Sequence, residues 1–127
     1  MTATQLLDEL NPEQREAVEH VDGPMLILAG PGSGKTRVIV YRTAHLIHNA
    51  LIPADNITAL TFTNKAANEM KDRISSLTDH LSPQITASTF HSICSRTLRA
   101  YGHAISLERN FSIYDPQDQL KLIRECV

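Results

Sequence analysis

The apolar positions change period along the chain, and that change predicts its elements. Met25-Leu26-Ile27-Leu28-Ala29 is an unbroken apolar run set between turn residues, the pattern of a strand buried on both faces of a parallel sheet. Ile57 to Phe62 alternates and is rich in β-formers, which predicts a second strand, and Ile85 to Phe90 predicts a third. Helical spacing lies between them. Ile39, Val40, Ala44, Leu46 and Ile47 recur within 35–49, with Pro53 just beyond. Ala67, Met70, Ile74 and Leu77 fall three or four apart behind Thr63 or Asn64 as a cap, and Ile93, Thr97 and Leu98 mark a helix through about Tyr101. Asn11 and Pro12 open a short helix through about His20, and Asp115-Pro116 opens another carrying Leu120 and Ile123. The order strand, helix, strand, helix, strand, helix specifies an α/β fold: a parallel sheet with crossover helices.

The first strand runs into Ala29-Gly30-Pro31-Gly32-Ser33-Gly34-Lys35-Thr36. This fits the phosphate-binding loop (Walker A) pattern, with Ala29 in place of the first glycine. Such a loop turns backbone N–H groups inward around phosphate oxygens, which requires glycines for unusual dihedrals and for close approach. Gly30, Gly32 and Gly34 supply them. Lys35 is then the point charge on the β- and γ-phosphates, Thr36 the hydroxyl for Mg²⁺, and the new helix start adds free N–H groups and a favourable dipole. These residues predict an NTP with magnesium as ligand. The alternative, a plain Gly-rich turn between strand and helix, gives way because strand, loop and helix are all expected where the motif demands them.

Three further segments resemble the UvrD/Rep-like branch of superfamily 1 DNA helicases, over nearly the whole chain. Leu10 to Val18, with Asn-Pro-Glu-Gln at 11–14, is similar to the family's Q-motif, which implies that Gln14 reads the adenine edge; a carboxamide matches adenine's adjacent donor and acceptor. Asn11 and Gln14 also have the spacing of a capping box, in which Gln14 serves the helix itself. Arg37, directly after the loop, matches a family arginine near the nucleotide. Thr61-Phe62-Thr63-Asn64-Lys65-Ala66-Ala67 resembles motif Ia, which faces single-stranded DNA. The resemblance implies that Phe62 stacks on a base, Thr63 and Asn64 donate to phosphate or sugar, and Lys65 neutralises a phosphate. Taken singly, these residues read as a core phenylalanine, an N-cap and an exposed charge. Thr89-Phe90-His91-Ser92, followed by Arg96 and Arg99, resembles the next DNA-facing motif.

The resemblance implies a RecA-like P-loop NTPase sheet, incomplete here, with 1–107 as the N-terminal part of the first ATP-binding domain and 108–127 as the start of a truncated helical insertion. It implies an ATP-dependent motor of DNA repair and replication, which couples hydrolysis to 3′–5′ movement on single-stranded DNA and to duplex unwinding. The family's acidic pair at the end of a further strand has no counterpart, for no aliphatic run here ends in Asp-Glu. Asp115 fits an N-cap instead. A second RecA-like lobe, whose arginines accelerate phosphoryl transfer by roughly 10³ to 10⁵ in such enzymes, is also missing. The 127 residues alone are therefore expected to bind Mg-ATP and hydrolyse it slowly or not at all, to bind DNA weakly, and to self-associate through exposed sheet edges.

Composition narrows this only slightly. A net charge of −2 is not the footprint of a nucleic-acid binder, but the charge is uneven: 1–23 holds six acids against Arg15, and 57–101 five bases against three acids. Cys94 and Cys126 form no CxxC pair, and no stretch is long enough to span a bilayer, so the expectation is a reduced, cytoplasmic setting. His91-x-x-Cys94 lacks a second pair of suitable spacing for zinc. Two other classes remain open on the residues alone, a P-loop kinase or other small-molecule NTPase and a non-enzymatic fold that retains the loop for stability or partner binding. No lid or basic clamp for a small acceptor is evident, and nucleotide binding separates both enzymes from the third class.

Overall fold

The structure is a computed structural model in which residues 3–78 and 85–126 are described. The chain divides into two compact units, Met1–Phe90 and His91–Val127.

In the first unit α1 (Ala3–Asp8) precedes α2 (Pro12–Glu19), and a strict cap separates them. The Asn11 side chain accepts from Gln14 N–H at 2.8 Å while Gln14 Oε1 accepts from Asn11 N–H at 3.3 Å. Pro12 at the first helical position brings no N–H of its own, and the cap satisfies those of Asn11 and Gln14. α3 (Lys35–His48) springs from the phosphate loop, and Gly34 stands in its N-cap position with φ of 85°. β1 (Thr58–Thr61), α4 (Asn64–Leu77) and β2 (Thr86–Thr89) complete a strand–helix–strand crossover. The strands pair in parallel, Thr58 opposite Thr86 through Thr61 opposite Thr89. Thr63 caps α4, its side chain accepting from Ala66 N–H at 3.1 Å.

α3 buries two faces. Val40 and Ile47 join Met70 and Ile74 of α4, Ile57 and Ala59 of the strand segment, and Ile85 in the main core. Val38 packs on the other side with Leu7, Ala17 and Val18. The expected apolar face of α3 is thus corrected at Ile39, which is 40% exposed, because the helix meets α2 and α4 on flanks to either side of it. His45, buried within α3, had no signal in the apolar spacing.

The larger correction concerns 25–29. The expected first strand is not formed: the segment carries no strand assignment, and Leu26 and Leu28 are 84% and 89% exposed. A parallel strand exists only through ladders to neighbours, and among the described residues β1 and β2 pair only with each other. The three-stranded expectation therefore becomes a two-stranded parallel sheet.

The second unit holds most of α5 (Phe90–Tyr101), a 3₁₀ turn over Gly102–Ile105, and α6 (Pro116–Cys126). Asp115 caps α6 as expected, Oδ1 accepting from Gln117 N–H at 2.7 Å and Asp118 N–H at 2.8 Å. No described helix is long and apolar enough to cross a membrane.

Candidate functional site

The loop at 29–36 is shaped by two left-handed glycines, Gly32 with φ of 75° and Gly34 with φ of 85°. These dihedrals cost a glycine little and strain any residue with a Cβ. Between them the chain folds back on itself. The Gly30 carbonyl accepts from Ser33 Oγ at 2.7 Å and from Lys35 Nζ at 2.7 Å, and Lys35 also donates to the Ala29 carbonyl at 3.2 Å. Lys35 is exposed, so its charge is within reach of a ligand entering the loop.

α3 offers the second half of an anion site. Gly34 gives no side-chain cap, and helical geometry leaves the N–H groups of Lys35, Thr36 and Arg37 without intrahelical acceptors. Thr36 is exposed, a hard oxygen of the kind Mg²⁺ accepts. This donor set fits a magnesium–polyphosphate.

A cleft of about 300 Å³ adjoins the loop, lined by Gln14, Ala17, Ile27, Gly30, Ser33 and Lys35 among others. Gln14 Nε2 donates to the Ser33 carbonyl at 3.1 Å. The two sequence readings of Gln14 therefore meet: it completes the capping box, and it also sits on the phosphate loop. Arg37 is directed elsewhere. Its Nη2 donates to the Glu9 carbonyl at 2.8 Å and to Glu9 Oε2 at 3.1 Å, and its guanidinium lies 5.1 Å from the centre of the Tyr41 ring. Tyr41 donates its hydroxyl to the same Glu9 carboxylate. Burial, followed by the Glu9 carboxylate, raises the pKa of that phenol above its ordinary value. Glu9 was invisible to motif reading, because only the fold brings it to α3.

The second group lies at the C-terminal end of the paired strands. Phe62 is 84% exposed and Phe90 44%, and their ring centres are 5.3 Å apart with planes tilted by 42°. Of the ordinary explanations for this segment, the core phenylalanine is excluded by that exposure, whereas the Thr63 cap is realised. Asn64 and Lys65 are exposed on the first turn of α4. Thr89 is buried at 6%, and His91 and Ser92 follow Phe90 as exposed residues of α5.

The larger cleft, of about 600 Å³, belongs to the second unit and is lined by Arg99, His103, Leu107 and Arg109. Arg99 and Arg109 each donate to the other's carbonyl at 3.1 Å, an arrangement that closes the turn. No group of three His, Cys, Asp or Glu suited to a metal occurs among the described residues.

A glycine-turned loop, a lysine held on the loop carbonyls and a helix start with no side-chain cap make up an arrangement that a polyphosphate fits. The sequence model for the UvrD/REP helicase N-terminal domain matches residues 10–127. The chain is 51% identical over 122 residues to the ATP-dependent DNA helicase PcrA of Bacillus subtilis strain 168, an alignment covering 96% of this chain and 16% of that protein. It is 49% identical over 122 residues to the PcrA helicase of Staphylococcus aureus strain COL, covering 96% of this chain and 17% of that protein. The chain belongs to the UvrD/Rep helicase family. It spans about a sixth of the length of these relatives.

Proposed function

We propose that the chain is the ATP-binding segment of an ATP-dependent DNA helicase that couples hydrolysis to 3′–5′ movement on single-stranded DNA and to duplex unwinding in the cytoplasm. The observation that carries this reading is the convergence of Gln14, Ser33 and Lys35 on one cleft beside an uncapped helix start. Residues 1–107 serve as the N-terminal part of a RecA-like ATP-binding domain, and 108–127 begin a helical insertion.

Lys35 donates to the β- and γ-phosphates, exchanging loop carbonyls for a charged acceptor. The N–H groups at the start of α3 take the remaining phosphate oxygens, the loop residues from Ala29 to Ser33 enclose them, and Thr36 is the chain's ligand for magnesium. Bound magnesium supplies neutralisation of the charge shared by the β- and γ-phosphates. Gln14 orients adenine through its carboxamide. Arg37, tied to Glu9, fixes the first turn of α3 beside the nucleotide. Phe62 and Phe90 give single-stranded DNA a stacking surface, with Thr63, Asn64 and Lys65 as backbone contacts, and Thr89, His91 and Ser92 belong to the next DNA-facing segment of the chain. Hydrolysis requires an acidic pair and a second lobe that these residues do not supply, so this segment binds nucleotide and the longer protein turns it over.

Calorimetry of Mg-ATP against the 127-residue chain tests this, with GTP as competitor. Saturable binding that prefers adenine and weakens about ten- to hundredfold with Lys35→Ala is expected. A folded chain that binds no nucleotide overturns it.

A further inference from the structure

The Gln14 carboxamide has an oxygen acceptor and two N–H donors. Its oxygen accepts from Asn11 N–H at 3.3 Å, which closes the cap of α2. One Nε2 proton leaves the helix altogether and reaches the Ser33 carbonyl at 3.1 Å. Capping alone does not call for that second bond. Gly34 makes room for it, since a Cβ there would stand 2.8 Å from Gln14 Nε2, closer than a carbon tolerates. Ser33 lies between two glycines at φ of 75° and 85°, so its carbonyl direction is set by the two most permissive residues of the loop. The other side-chain hydrogen bonds onto loop carbonyls, among the described residues, come from Ser33 and Lys35, which are themselves part of the loop.

We infer that Gln14 is a positioning residue for the phosphate loop: its bond to Ser33 holds the Gly32–Gly34 turn in the shape that receives a polyphosphate, with or without a base. This rests on the nucleotide-binding reading and extends it, because it makes affinity for the phosphates alone depend on a side chain otherwise assigned to the base. The second Nε2 proton and the second lone pair of Oε1 remain for an adenine edge. One carboxamide thus serves base and loop together, and couples the two halves of the ligand.

The probe is magnesium tripolyphosphate, which carries the phosphates without the base, titrated into the 127-residue chain beside Mg-ATP. Gln14→Ala is expected to weaken tripolyphosphate binding about three- to tenfold, the scale of one hydrogen bond, and Mg-ATP by more. Asn11→Ala breaks the cap and leaves the Ser33 contact, so it lowers the melting temperature while tripolyphosphate affinity stays within about twofold. Where Gln14→Ala does not melt cooperatively, Gln14→Asn is read the same way, its carboxamide being a methylene too short for Ser33. Weaker ATP with unchanged tripolyphosphate overturns the inference, for Gln14 is then a base reader only, and the nucleotide reading stands. An equal loss in Asn11→Ala overturns it in favour of the cap. If the wild-type chain binds neither ligand, the nucleotide reading fails and the positioning role falls with it.

Discussion

Lys35 Nζ stands 2.7 Å from the carbonyl oxygen of Gly30, and that oxygen also holds the hydroxyl of Ser33 at 2.7 Å. The ammonium is already drawn onto the loop it serves. A polyphosphate entering there exchanges a neutral carbonyl for a charged acceptor, and hydrogen bonds to charged groups are the stronger kind. Lys35→Ala is therefore expected to weaken Mg-ATP by about ten- to hundredfold, as read by calorimetry, with little change in melting temperature because the side chain is exposed. Lys35→Arg should not restore binding, since a planar guanidinium does not fit a loop shaped around a point charge. Full affinity in either variant would remove Lys35 from the site.

Phe62 makes a separate prediction about DNA. An aromatic ring 84% exposed adds little to folding, yet with Phe90 at 5.3 Å it offers a face on which a base stacks. Phe62→Ala should cost single-strand affinity about five- to a hundredfold, following the 1 to 3 kcal/mol measured per stacked base. Fluorescence anisotropy with a labelled oligothymidylate at low salt reads this, while the melting temperature stays near that of the wild type. An unchanged isotherm would return Phe62 to the class of unused surface aromatics.

What was legible in the sequence was local. The caps at Asn11, Thr63 and Asp115, the loop glycines and the helix of Ala67, Met70 and Ile74 depend on residues a few positions apart, and each appears where spacing placed it. The strand at 25–29 was misread because a continuous apolar run states only that a segment seeks burial, whereas the ladder needs neighbours that the described residues do not provide. Ile39 was misassigned for a related reason. Helical period identifies a face, but two flanks of α3 are covered and the residue between them is left out. The Ser33–Gln14 and Glu9–Arg37 contacts span 19 and 28 positions, beyond the reach of any local rule.

The same misread strand carries its own prediction. Leu26 and Leu28, 84% and 89% exposed, lie on a segment that has no ladder among the described residues, so apolar side chains and backbone outside any sheet are presented together. Both favour edge-to-edge pairing with a second copy of this chain. Sedimentation should show concentration-dependent association of the 127-residue chain, and Leu26→Lys with Leu28→Lys should shift it toward monomer. An identical association profile in the double variant would place the contact elsewhere.

His45 gives the last prediction, one of pH. Its ring is buried in α3 with Nδ1 lacking a hydrogen-bond partner among the described residues. Burial lowers its pKa below the ordinary 6.5; Glu19 opposes that shift and Arg42 adds to it. The unfolded chain then takes up the proton at a higher pH than the folded one, so the unfolded state binds more protons in the interval between the two pKa values. The contribution of the neutral His45 to stability is present above 6.5 and is lost progressively as pH falls from that value through the folded pKa. His45→Leu removes the titrating group and keeps an apolar side chain in its place. Melting temperature measured across this range should therefore fall more steeply for the wild type than for the variant, and the gap between them should shift in the variant's favour with added acid. Two parallel profiles would show that the ring is solvated enough to titrate alike in both states.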